Sequence, residues 1–151
     1  MNQGEELRFL ILAIQREGNR QLTDALRPLH LTPSQAEVIQ ILQQYQPMTL
    51  LQLGERLVCE TGSPSRLVTS MVDAGWVEKL PNPADGRAVL LRLAPAADVI
   101  LPALNAVEQQ FNASVAALFP EETITHLIKH LWAFAENTPS GRALAQRKDK
   151  T

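Results

Sequence analysis

Five polar side chains, Ser65, Arg66, Thr69, Ser70 and Asp73, recur at helical spacing opposite the apolar positions Leu67, Val68, Met71 and Val72. Short hydroxyls let a helix approach another surface closely, and an arginine can fork two bonds onto a guanine edge or grip phosphate. A second cluster, Asp85-Gly86-Arg87, follows about a dozen residues later within a turn-forming stretch. An arginine there suits a narrow, electronegative minor groove; a salt bridge from Asp85 to Arg87 that stiffens the loop is the alternative, and both can hold. Together these residues can read a nucleic acid, with Ser63, Ser65, Arg66, Thr69 and Ser70 at the major groove and Asp85 and Arg87 at its flank.

Other reactive types carry less. The single cysteine, Cys59, excludes an internal disulfide, and a redox role requires a depressed pKa and access to oxidant. It is expected to be a packed structural thiol. His126 and His130 stand four apart, a spacing that can hold a metal, but no third ligand is evident. His30 stands alone. There is no glycine-rich phosphate loop, nucleophile elbow or catalytic cluster, so the chain is not expected to be an enzyme or to carry a cofactor or metal. Asn112-Ala113-Ser114 matches a glycosylation acceptor but falls inside an expected helix.

The elements that must position these residues announce themselves by their ends. A helix is expected from about Glu5 to Leu26, with Leu7, Leu10, Ile11, Ile14, Leu22 and Ala25 on one stripe, Phe9 and Leu12 widening it, and Pro28 ending it. That apolar surface is broad enough to need burial on two sides. Thr32-Pro33-Ser34-Gln35 and Thr49-Leu50-Leu51-Gln52 read as capping boxes. The first opens a helix with Val38, Ile39 and Leu42 inward, closed by Gln46-Pro47. The second opens one with Leu50, Leu53 and Leu57 inward. Ser63-Pro64 starts the polar-faced helix, and Gly75 sits where a C-terminal cap is needed.

Trp76 to Leu80 and Ala88 to Leu93 read as two strands around the turn 81–87, in which Asp-Gly can take positive φ. A long helix from Ala96 to about Leu118 carries a seam of Ile100, Leu104, Val107, Phe111 and Leu118, with Pro102 near its start. A last helix after Phe119-Pro120 aligns Ile124, Leu127, Ile128, Leu131 and Ala135. Thr138-Pro139-Ser140-Gly141 breaks it, leaving a polar basic tail with Arg142, Arg147, Lys148 and Lys150.

The expected fold is mainly α with a small β-hairpin wing, a winged helix-turn-helix of α+β class. Residues 1–30 and 96–137 form a helical dimerisation layer, 31–95 the reading unit and 138–151 the tail. Charge argues against indiscriminate nucleic-acid binding. Formal net charge is -2, and residues 49–93 set Arg56, Arg66, Lys79, Arg87 and Arg92 against Glu55, Glu60, Asp73, Glu78 and Asp85. Binding therefore depends on where the fold places its arginines. The longest wholly apolar run, Phe9 to Ile14, is too short to span a bilayer, and Glu5-Glu6 near the start does not suit a secretion signal. A soluble cytoplasmic protein is expected.

In Leu31-Thr32-Pro33-Ser34-Gln35, in Ser65-Arg66-Leu67-Val68 followed by Gly75-Trp76-Val77-Glu78-Lys79, and in Asp85-Gly86-Arg87 followed by Leu91-Arg92-Leu93, the chain resembles the MarR (multiple antibiotic resistance regulator) family. The resemblance runs from about Glu5 to Phe134. It implies a homodimer whose N- and C-terminal helices interlock, binding to pseudo-palindromic double-stranded DNA, repression of nearby genes and release by a small aromatic effector. By the same resemblance Ser65, Arg66, Thr69 and Ser70 match the groove-reading helix, and Asp85 and Arg87 the wing pair. Gly86 departs from a further arginine common in the family, and Leu93-Ala94-Pro95-Ala96-Ala97 from the usual lead into the long helix. A winged helix that binds a protein partner without a specific DNA target is the alternative reading. A thiol or metal sensor on the same scaffold is a third.

Overall fold

The computed structural model describes residues 1–59 and 62–148. Its order is α1 (Gln3–Leu26), a 3-10 turn (Arg27–Leu29), α2 (Pro33–Tyr45), β1 (Met48–Thr49), α3 (Leu50–Gly54), α4 (Pro64–Asp73), β2 (Val77–Pro81), β3 (Val89–Leu93), α5 (Pro95–Ala116), α6 (Glu121–Ala135) and α7 (Pro139–Ala145). The expected helix starts stand. Thr32 and Thr49 each close a full capping box with Gln35 and Gln52, and the Ser63 oxygen accepts from the Arg66 amide at 3.3 Å. Each oxygen satisfies one of the free amides that a helix start leaves.

The C-terminus of α4 is closed by Gly75 at φ 81°. The Gly75 amide donates to Val72 O at 3.0 Å and the Trp76 amide to Met71 O at 2.9 Å. That 5→2 and 6→1 pair defines a Schellman cap, which needs a left-handed residue at this position. The chain is thereby turned directly into β2.

β2 and β3 pair antiparallel from Val77↔Leu93 to Pro81↔Val89. The two-residue β1 adds a third strand beside β3, through Met48↔Leu91 and Thr49↔Leu90, giving the order β1-β3-β2. The sequence offers no sign of β1, because two residues carry no alternation and extend only when β3 is beside them.

One core fills the middle of the chain. Val38, Ile39 and Leu42 of α2, Leu53 of α3, Val68 and Met71 of α4, Val77 of β2 and Leu91 of β3 are buried together. Leu26, Ala97 and Leu104 close it from α1 and α5. Leu57 also joins it, but from beyond the end of α3, which stops at Gly54 rather than running on. Pro95 opens α5 without a side-chain cap, since Ala94 has no oxygen to offer.

The outer helices differ. In α1 only Leu26 is buried, and Leu7, Phe9, Leu10, Ile11, Leu12 and Ile14 are exposed. No residue of α6 is buried, and Leu127, Ile128, Leu131 and Phe134 face outward. On the α5 seam Leu104 is buried and Ile100 and Val107 pack on the core, while Leu118, expected on the same seam, lies exposed beyond the helix end at Ala116.

The polar basic tail holds a helix that its sequence did not announce. Thr138 caps α7 by accepting from the Gly141 amide at 3.0 Å, and α7 doubles back so closely that a Cβ on Gly141 would strike the Ala135 carbonyl. The proline that ends α6 thus starts a further helix, as proline readily does at a first turn. Lys150 lies outside the described residues.

Candidate nucleic-acid interface

The polar face of α4 lies open. Ser65, Arg66, Thr69, Ser70 and Asp73 are all exposed, while Val68 and Met71 on the opposite side are buried. The Thr69 hydroxyl donates to Ser65 O at 2.9 Å and the Ser70 hydroxyl to Leu67 O at 2.7 Å. Their protons are engaged within the helix, which leaves both oxygens as acceptors on an exposed face. Ser63, half-buried, has its oxygen committed to the cap. Among the described residues no hydrogen bond or ion pair holds the Arg66 guanidinium, which can fork onto an acceptor edge or phosphate.

The wing projects from β2 and β3. At its tip the Asp85 carboxylate accepts from the Arg87 amide at 2.9 Å, and Asp85 O accepts from the Ala88 amide at 3.1 Å. This turn holds its shape through an aspartate side chain, and Gly86 does not use the positive φ open to it. Nor does Asp85 pair with the Arg87 guanidinium among the described residues. The carboxylate fixes the backbone at the tip and leaves the guanidinium projecting.

Charge is redistributed by the fold. Arg92 is paired with Glu78, its cross-strand neighbour. Arg56 is turned inward, donating to Gln52 O at 2.8 Å and lying 5.2 Å from the Tyr45 ring. Arg66, Lys79 and Arg87 remain exposed on the reading unit. Glu60, one of the five acids counted against them, lies outside the described residues.

Cys59 is exposed rather than packed. Even so its thiol is pushed up to about 11, first by partial burial of the sulfur and then by the Glu37 carboxylate. A raised pKa is the opposite of what a peroxide-sensing thiolate needs. His126 stands 4.0 Å from Glu122 within α6, and no group of three metal-ligating side chains occurs among the described residues. Among those residues, no helix is long and apolar enough to cross a membrane.

The sequence reading missed Glu37, buried in α2, and Arg147, beyond α7, which form an ion pair. A carboxylate inside the apolar run Ala36-Glu37-Val38-Ile39 is a signal, since a charge on an inward face demands a partner. Nothing local names Arg147 as that partner. A cleft of about 640 Å³ lies between α3 with its following turn and α7, lined by Gly54, Leu57, Val58, Pro139, Arg142 and Ala143 among others.

Residues 31–89 match the model of the MarR family. The multiple antibiotic resistance protein MarR of Escherichia coli is 34% identical over 84 residues, 56% of this chain. The match spans 58% of that protein's own length. A crystal structure of a MarR mutant from E. coli, complexed with operator DNA, is similar with a TM-score of 0.74 at 28% identity, over 83% of this chain and 93% of that one. An organohalide-sensing transcriptional regulator in its 2,4-dichlorophenol-bound form reaches a TM-score of 0.81 over 92% of this chain and 83% of that one. Its identity is 20%, so that likeness is one of fold.

Proposed function

We propose that this chain, whose residues 31–89 match the MarR family model, is a regulator of that family: a homodimeric, sequence-specific DNA-binding transcriptional regulator, a repressor released by a small effector. It works in the cytoplasm and catalyses no reaction. Each subunit presents α4 to a major groove, with Ser65, Arg66, Thr69 and Ser70 at base edges and phosphates. Arg87, held out by the Asp85 turn, enters the adjoining minor groove. The observation that carries this reading is the open polar face of α4 beside a wing whose arginine is free to project.

Dimerisation follows from the uncovered apolar stripes of α1 and α6. A second copy supplies the same stripes in return, as a two-fold interface requires. Two reading helices would then meet half-sites about one helical turn, roughly 34 Å, apart. For the effector, the cleft between α3 and α7 is the best candidate: Leu57, Val58, Pro139 and Ala143 offer apolar contact and Arg142 a cationic rim. A small aromatic compound suits such a lining, and an occupant would alter the setting of α4 against the dimer layer.

The test is fluorescence anisotropy on duplexes recovered by the protein from a random-sequence library, titrated at several salt concentrations against random competitor. The reading expects tight binding that survives competitor. Binding no better than to random DNA would overturn it and favour the protein-interaction module.

A further inference from the structure

Glu37 is 4% exposed, yet its carboxylate is fully engaged. Oε1 accepts from the Val58 amide and Oε2 from the Cys59 amide, both at 2.8 Å. Oε1 also receives the Arg147 guanidinium. Arg147 further donates from Nε and Nη2 to the Arg56 carbonyl, at 2.9 and 2.5 Å. The Tyr45 hydroxyl in turn donates to Arg147 O at 3.0 Å. A single side chain from beyond α7 is therefore tied to both α2 and the turn that leaves α3.

In sequence that turn lies just ahead of α4. Four residues separate Cys59 from Pro64, and Ser63, Ser65 and Arg66 follow at the end of the helix that would meet base edges first. Val58 also walls the cleft. Two consecutive amides fixed on one buried carboxylate set where the turn lies, and the Arg147 guanidinium is the charged partner that offsets the cost of burying it.

We propose that Arg147, acting through Glu37, is a positioning residue for DNA recognition: it pins the turn before α4 and so sets the pitch of the reading helix. This rests on the DNA-binding reading above. Arg147 itself need not touch DNA.

The test uses the full chain and a duplex selected from a random library by the unaltered protein. Arg147→Ala should lose at least about tenfold in affinity for that duplex, with little change in its weak binding to random DNA. Amide hydrogen exchange should accelerate at Val58 and Cys59 while core amides such as Leu42 stay protected. Arg147→Lys keeps the charge but not the fork, and should lose roughly threefold; it decides the matter if the alanine variant fails to fold. Unchanged affinity with unchanged exchange at Val58 and Cys59 would overturn the positioning role and leave the regulator intact. Failure of the unaltered protein to select any sequence would overturn both.

Discussion

The reading unit and the outer helices solve burial in different ways. Between Leu31 and Leu93 nearly every large apolar side chain on an inward face is covered by the same chain. Along α1 and α6 an equally apolar stripe is left in solvent. The first region is complete as a monomer, whereas the second has a face but no cover. On the proposed reading this is a division of labour: the unit that would read DNA keeps its own shape, and the unit that would set the distance between two readers depends on association.

Changes on the two sides should therefore fail differently. Leu42→Ala, in the centre of the reading unit, leaves a cavity and should cost about 2–5 kcal/mol. Urea unfolding would show that loss at every protein concentration; a loss below about 1 kcal/mol would mean the core is less complete than its burial implies. Ile11→Glu, on the open stripe of α1, should instead weaken dimerisation roughly 100-fold or more, because a second copy would have to bury a carboxylate. Sedimentation should find a monomer where the unaltered chain is a dimer, and the unaltered chain's melting temperature should rise with concentration. Identical sedimentation of the two would break the contrast.

Smaller effects sharpen it within the reading unit. Arg87→Ala should cost about 1–2 kcal/mol in DNA affinity and make the salt dependence shallower by about one ion, with no effect on dimerisation. Unaltered affinity and slope would remove the wing from the interface. Cys59 gives the smallest signal. With its pKa at about 11, roughly a thousandth of the thiol is ionised at pH 8. Raising the pKa removes thiolate, so alkylation by iodoacetamide should be slow at pH 8 and climb steeply above pH 10. Rapid reaction at pH 7 would revive a thiol-sensing role.

The same contrast explains what the sequence made legible. Helix starts at Thr32, Thr49 and Ser63 and the stop at Gly75 depend on residues within four positions of each other, so they could be read before any fold was known. The exposed face of α4 follows from the same local periodicity. β1 could not be read, because Met48 and Thr49 are extended only by pairing with β3. The α7 helix was hidden by a proline that stops one helix and starts the next. The turn at Gly86 was legible, but not that Asp85, rather than a glycine φ, shapes its tip. Least legible was the pair of Glu37 and Arg147, 110 positions apart, which no periodicity connects.

Hydroxyl-radical footprinting of the full chain on a selected duplex bears most directly on the two-part design. A dimer that reads DNA with α4 should protect two half-sites with centres about one helical turn apart, at one dimer per duplex, and Ile11→Glu should erase the paired pattern. A single protected half-site occupied by one subunit, or a paired pattern that Ile11→Glu leaves unchanged, would contradict it.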